Sequence, residues 1–319
     1  MKIRHQAFEP GKKMLKGALH VHTNRSDGDY SPEKQIRYYY EHGYDFIAIT
    51  DHKIYNYKNY APDVPITIIP GFEFENVFET HNGFRQFHTV CLGPEKGKGN
   101  PYEQDEEIPA GTAKNQEEYQ KYLDEIHANG NLTIYCHPEY SGTPARLFEK
   151  LEGDIAMEIY NSGSHVYANM DKDAMYWDEL LGQGKKLYGV AADDCHTKYE
   201  RCLSWVMVNA DNNVDSILDA LKRGAFYSST GPVINDFYVE GENITVECSP
   251  ARKIRCNCDD IRFRNIYPGG DKNQPGTITR GEFEYESGQP YARVSVIDEN
   301  GKIAWTNPIF FDEIKHLMK

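Results

Sequence analysis

The 319-residue chain contains no window approaching the ~18 consecutive apolar residues that a membrane-spanning helix needs. Its first residues, Met1-Lys2-Ile3-Arg4-His5-Gln6-Ala7-Phe8, lack the apolar core of a secretory signal. The expectation is a cytoplasmic protein. Positive charge is also in deficit: 35 Lys and Arg face 49 Asp and Glu, a formal net charge of −14. Such a surface opposes nucleic-acid backbones and anionic membranes, which argues against a nucleic-acid polymer as substrate. It does not exclude a small phosphorylated ligand, because surface charge is screened beyond about 8 Å at physiological salt. The seven cysteines are an odd number scattered through the chain, and none forms the CxxC-like pairs of a thiolate zinc site. Cys91 and Cys136 sit inside apolar runs and read as small buried residues of a reducing compartment. Cys248, Cys256 and Cys258 read as small side chains on an edge strand. Internal repeats and long low-complexity tracts are lacking as well.

What remains is enough to fill a core, with 39% hydrophobic and 13% aromatic residues. From residue 17 to about 222, apolar runs alternate with helical patterns. Ser31-Pro32-Glu33 is a helix start, with Ser as cap and Pro at the first helical position, and the helix stops at Gly43. Further helices are expected over 115–129, 166–183 and 213–223. This β–α alternation implies a parallel barrel or an open α/β sheet. The stretch 93–114, rich in Gly, Pro, Lys and Glu, reads as a long loop, either solvated or a lid. From about 236 the pattern changes to short strands between Gly, Asn and Asp turns: 237–239, 244–246, 261–263, 283–285, 292–296 and 309–310. A division follows at 235/236, with a small antiparallel β unit serving as a structural cap or dimer contact. A carbohydrate-binding role is the alternative for that unit.

The chemistry sits at the ends of the apolar runs. His20 and His22, at i and i+2 on an extended segment, project to one side and can converge on one cation. Asp27 follows within Ser26-Asp27-Gly28. Asp51-His52 ends Phe46–Ile49, and Gly71-Phe72-Glu73 follows Ile66–Ile69. His88 opens Thr89–Leu92, His137-Pro138 ends Leu132–Cys136, and Asp194-Cys195-His196 ends Leu187–Ala192. His81 lies near His88, which is preferred because an apolar strand follows it directly. A shell of imidazoles and carboxylates suits Zn, Mn or Fe(II) rather than a thiophilic ion.

Taken in order, HxH, SDG, ITDH, GxE, H, HP and DxH resemble the PHP (polymerase and histidinol phosphatase) family of metal-dependent phosphoesterases over roughly residues 14–235. Gly224-Ala225-Phe226-Tyr227-Ser228-Ser229-Thr230-Gly231-Pro232 is similar, more loosely, to the end of the domain in stand-alone members with a C-terminal β extension. The resemblance implies a distorted seven-stranded (β/α) barrel and three divalent transition-metal ions. It implies that His20, His22, Glu73 and Asp194 hold one ion. Glu73 would bridge to a second, also held by His88 and His137, and Asp27, His52 and His196 would hold a third. In the family the Asp27 position is sometimes His, and Asp is an acceptable oxygen donor.

Three divalent ions among three carboxylates leave a site charge of about +3, which attracts a phosphate dianion. They also lower the pKa of a bridging water from 15.7 towards ~7, which supplies a hydroxide nucleophile beside Glu73. Asp51 is expected behind the ligands, orienting an imidazole. Glu158 and Asn161 end another strand and are candidates to touch the site. Arg25, Lys53 and Arg201 flank the motifs, and His165 follows a strand end. Arg25, His165 and Arg201 are the candidate substrate contacts, Arg201 foremost. The expectation is thus a phosphoesterase for a small phosphorylated metabolite or nucleotide. The alternatives are hydrolysis of a carbon ester, amide or carbamate, and a non-catalytic scaffold with a binding β unit. The chain has no recognisable polymerase region.

Overall fold

The computed structural model describes residues 4–80, 83–259 and 262–316. His81 lies outside them. Among the described residues no helix is long and apolar enough to cross a membrane.

Met14–Ala18, Phe46–Ala48 and Thr67–Ile69 form one parallel run of strands. Leu132–Tyr135, Ala156–Asn161 and Tyr188–Ala192 form another. These are the β–α alternations read from the pattern. The helix Pro32–Glu41 joins the first pair; the Ser31 hydroxyl accepts the Lys34 amide, and Ile36 and Tyr39 are buried beneath it. Gln116–Ala128, capped by Asn115, leads into the second run, and Val214–Lys222, capped by Asn213, follows it.

Two features depart from simple alternation. Gly71–Thr80 and Gly83–Leu92 form a long antiparallel hairpin between the runs, so His88 lies inside a strand rather than at its start. The helix expected over 166–183 is two, Ser162–Ala168 and Ala174–Gly182. Asn169 turns left-handed at φ 56° and ends the first, and the polar residues after it cannot bury a helical face.

Interior side chains from both sheets, among them Phe46, Ile69, Val90, Ile134, Val190, Val206 and Phe226, make one cluster. Packing there is tight: a Cβ on Gly17 would lie 1.9 Å from the Phe46 ring. Among the described residues the hydrogen-bonded ladder is not a closed ring. The Thr67–Ile69 sheet ends where the five-stranded sheet beginning with Gly71–Thr80 starts, and Tyr188–Ala192 is not laddered to Phe226–Ser229. Side chains bridge that second gap. Ser228 Oγ donates to the Gly189 carbonyl and accepts the Ala191 amide, both at 2.8 Å. Asn307 Oδ1 accepts the Gly189 amide at 2.9 Å.

The C-terminal residues are antiparallel strands, as expected, but they continue the sheets of the rest of the chain. Ile303–Thr306 pairs with Phe226–Ser229 and then with Tyr291–Ile297. Arg4–Gln6 pairs with Ile234–Glu240. The strands Lys253–Asn257 and Ile303–Thr306 were not separated in the sequence pattern. Cys256 is not on an edge, because its strand is paired on both sides, as is the Cys248 strand Asn243–Ala251.

Replacing Ser228 by Ala would leave the Gly189 carbonyl and the Ala191 amide buried without that partner. The expected loss is about 1–3 kcal/mol of unfolding free energy. Urea unfolding would measure it; an unchanged midpoint would mean that the seam does not depend on this hydroxyl.

Candidate metal centre

Six of the nine expected ligands lie at strand ends or on extended segments beyond them. The Met14–Ala18 strand stops at Ala18, and His20 and His22 follow on an extended segment held by a Val21–Cys195 bridge. Asp51 and His52 follow Phe46–Ala48, His137 follows Leu132–Tyr135, and Asp194 and His196 follow Tyr188–Ala192. Glu73 and His88 come from the hairpin. His137 (φ 27°) and Asp194 (φ 47°) are non-glycine residues in the left-handed region, a strain that persists where surrounding structure dictates it.

Glu73 is the centre, fully buried. Its Oε2 lies 2.9 Å from His52 Nδ1 and 3.3 Å from the Nε2 atoms of His20 and His22. Its Oε1 lies 3.1 Å from His88 Nδ1 and 3.3 Å from His137 Nε2. Asp194 Oδ1 lies 3.2 Å from His20 Nε2 and 3.0 Å from His22 Nε2. A second group faces solvent: exposed Asp27, at 3.3 Å from His196 Nε2 and 3.7 Å from His22 Nδ1 and His52 Nε2. Gly28 lets this turn close, since a Cβ there would meet the His22 carbonyl at 2.8 Å. The grouping differs from the implied one in that His22 also approaches the Asp27 group, and His52 groups with Glu73 and His88.

The electrostatics follow from this crowding. Burial would raise the Glu73 and Asp194 carboxyls. The imidazoles outweigh it, led by His52 and His20 for Glu73 and by His20 and His22 for Asp194, and hold both well below the usual carboxylate range. Burial opposes charge on His52 and His196 too, yet Glu73 and Asp27 respectively push these imidazoles up to about 9. His88 goes the other way, lowered chiefly by burial.

The arrangement fits metal ions. Glu73 Oε2, Asp194 Oδ1, His88 Nε2 and His52 Nδ1 are buried atoms without an aligned hydrogen bond. His20 and His22 bring their Nε2 atoms to 3.0 Å from each other, a contact in which two lone pairs repel unless a proton or cation lies between them. Outer partners already engage the far nitrogens. His20 Nδ1 donates to Glu158 Oε1 at 2.7 Å, and His196 Nδ1 to the Asp194 carbonyl at 3.0 Å. His137 Nδ1 lies 2.9 Å from Ser141 Oγ. Such contacts fix the tautomer that leaves Nε2 free for an ion. Cys136 lies close to these groups, but burial pushes its thiol well up and it is not a donor of choice.

Several expected roles are corrected. Asp51 touches no imidazole: it accepts the Thr23 amide (2.6 Å) and hydroxyl (2.7 Å) and the Ser26 hydroxyl (2.9 Å), so it shapes the turn between His22 and Asp27. The imidazole-orienting carboxylate is Glu158, whose other oxygen accepts the His137 amide and the Asn161 side chain; Asn161 also donates to Asp194. The sequence expectation put Glu158 at a strand end, whereas it lies inside the strand Ala156–Asn161, and Asn161 ends that strand. Arg201 is buried, bonded to Asp29 and Gln35 and stacked on Tyr30, because the chain after His196 folds back onto the first helix. His165 faces Asp171 at 3.1 Å and is not in the cleft beside His196. Arg25 is bonded to Asp105, and Lys53 to Glu75 at 2.8 Å. Asp105 and Gln104 bring part of the 93–114 stretch against Arg25, Asn56 and Tyr60.

Comparison with known proteins places this geometry in context. A family model described as PHP domain matches residues 18–203, more than half of the chain. No curated protein matches. Among solved structures, a two-domain protein containing a predicted PHP-like metal-dependent phosphoesterase from Bacteroides vulgatus is similar at 15% identity and TM-score 0.49, over 94% of this chain and 96% of that one. An amidohydrolase from Chromobacterium violaceum with bound sulfate and no metal is similar at 15% identity and TM-score 0.39, over 58% and 88%. A protein assigned as a metal-dependent phosphoesterase from Bifidobacterium adolescentis is similar at 12% identity and TM-score 0.41, over 65% and 96%.

Two outcomes are expected. Glu158→Ala frees His20 Nδ1 and lowers metal affinity about 10–100-fold, read by competition with a chromophoric chelator; an unchanged affinity would remove Glu158 as an orienting group. In metal-free protein, His52 and His196 have folded pKa values near 9 against an ordinary 6.5. Their stabilisation is fully present below about 6.5 and lost as pH rises through about 9. The melting temperature of chelated protein should therefore fall between pH 6.5 and 9.5, and metal-loaded protein should resist that fall because ions replace the protons. Parallel curves with and without chelator would contradict this.

Proposed function

Because the chain belongs to the PHP domain family, we propose that it is a metal-dependent hydrolase of phosphate esters. It acts on a small phosphorylated metabolite or nucleotide at a three-ion site on one rim of a distorted seven-stranded barrel. The observation that carries this reading is the division of Glu73. One oxygen faces His88 and His137, and the other faces His20, His22 and His52. A carboxylate so placed is suited to bridge two ions. Asp27, His52 and His196 supply donors for a third on the solvent side.

When bound, the ions supply Lewis acidity and a water of lowered pKa. The chain's own residues do the rest. Glu158 and the Asp194 carbonyl set imidazole tautomers by accepting Nδ1 protons, and Ser141 holds the His137 ring. Asp51 fixes the turn that carries Asp27. The burial of His20, His22 and Glu73 keeps bulk water from that side, while Asp27 and half-buried His196 leave the other side open to substrate. The acidic surface favours a small substrate over a nucleic-acid polymer.

The test joins metal content to activity. Elemental mass spectrometry on protein purified without chelator should find about three transition-metal ions per chain. A panel of phosphate mono- and diesters should release phosphate or alcohol. His20→Ala/His22→Ala should lower kcat/KM by at least ~10³-fold, the scale of losing metal-borne charge stabilisation. Full activity in that variant would remove the metal mechanism, and turnover of carbon esters or amides alone would move the reaction to carbonyl chemistry.

A further inference from the structure

We propose that Tyr140 and Tyr167 form a subsite for a flat, uncharged aromatic ring in the organic part of the substrate, an assignment that rests on the phosphoesterase reading above. A cleft of about 290 Å³ opens on Asp27, Asp194 and His196, and these two tyrosines also line it. Tyr167 is 79% exposed and Tyr140 44% exposed, so neither is held there by core packing. Their rings meet edge to face at 6.3 Å and 77°. Tyr140 in turn stands edge-on to His137, at 5.9 Å and 89°. A chain of aromatic edges thus runs from a metal-facing imidazole to the cleft mouth. A ring lying against exposed Tyr167 would share the cleft with Asp27 and His196, the donors proposed for the solvent-side ion.

Charge narrows the class further. Among the described residues no Lys or Arg lines this cleft. Its remaining acid, Glu200, accepts the amides of His196 and Thr197 at 2.6 and 2.7 Å and holds their loop. Arg25, Lys53 and Arg201, which flank the motifs, are each engaged by a carboxylate, of Asp105, Glu75 and Asp29 respectively, and Lys198 lies over the Tyr199 ring. A second anionic group on the substrate would find no Lys or Arg among the described residues of the cleft wall. The ligand is therefore an aromatic compound with one phosphoryl group.

The experiment is calorimetric titration of metal-loaded full-length protein with phenylphosphonate and methylphosphonate, which bind without turnover. Wild type should prefer the phenyl compound about five- to tenfold, the range of one aromatic contact. That ratio should collapse towards one in Tyr167→Ala and in Tyr140→Leu, and persist in Tyr140→Phe. A ratio near one in wild type, or one that survives both substitutions, overturns the subsite. 4-Phosphonobenzoate should bind more weakly than phenylphosphonate; equal or tighter binding overturns the single-anion requirement. If neither phosphonate binds, the phosphoesterase reading is the part that fails. The phenyl acetate to methyl acetate hydrolysis ratio in the same variants then decides the subsite, with collapse supporting it and persistence overturning it.

Discussion

A carboxylate with no exposure to solvent stands at the middle of this protein. Burying a lone carboxylate costs several kcal/mol, so Glu73 is tolerable only because imidazoles from the segments around it converge on its two oxygens. Those imidazoles are buried or half-buried themselves and have the same need in reverse. Each set offsets the burial of the other, and together they present donors that could hold a cation. The hairpin exists in this light to deliver Glu73 and His88 from adjacent strands, a task that a simple β–α turn could not perform with both residues on one face. The left-handed backbone at His137 and Asp194 belongs to the same economy, since local strain is maintained by the contacts it makes possible.

Around this centre, outer hydrogen bonds convert flexible side chains into fixed donors. Glu158 holds the His20 ring with one oxygen. With the other it accepts the His137 amide and the Asn161 side chain, which reaches Asp194. One carboxylate thereby ties three ligand-bearing segments together. Asp193 performs a comparable task away from the candidate site: it accepts Tyr39, Ser162 and the amides of Cys202, Leu203 and Ser204, anchoring the chain beyond His196 to the first helix. Two adjacent aspartates thus divide the work, one turned to the centre and one to the scaffold.

The residues that converge were legible in the sequence because their chemistry restricts them. A histidine or carboxylate at the end of an apolar run has few structural reasons to recur in sequence order. The nearness of Glu158 to the site was legible too, but its partner was not, because a buried carboxylate looks the same whether it meets an ion, an imidazole or an amide. Arg201 misled for a related reason: proximity to His196 along the chain does not fix the direction of a side chain, and Asp29, Gln35 and Tyr30 are distant in sequence. The helix break at Asn169 was hidden because Asn169 and Asp173 suit a helix terminus as well as a solvated face. The hairpin was obscured by Asn76, a buried polar residue that interrupts the inward-facing apolar series between Phe74 and Phe78.

The same reasoning bears on the C-terminal strands. Their sequence pattern changes from alternating β and α to short strands, which suggests a separate unit. Backbone pairing says more about their physical role, because Ile303–Thr306 completes the exposed edge of Phe226–Ser229, the strand beside the open seam. Asn307 then spans that seam, accepting the Gly189 amide and donating to the carbonyls of Gly224 and Phe226. Buried backbone groups without partners cost about as much as a lost hydrogen bond each. Without these residues, the strand that leads into Asp194 and His196 would lose a partner near its start. Among the described residues, the β extension therefore places no side chain in the candidate site and bears on it through the sheet.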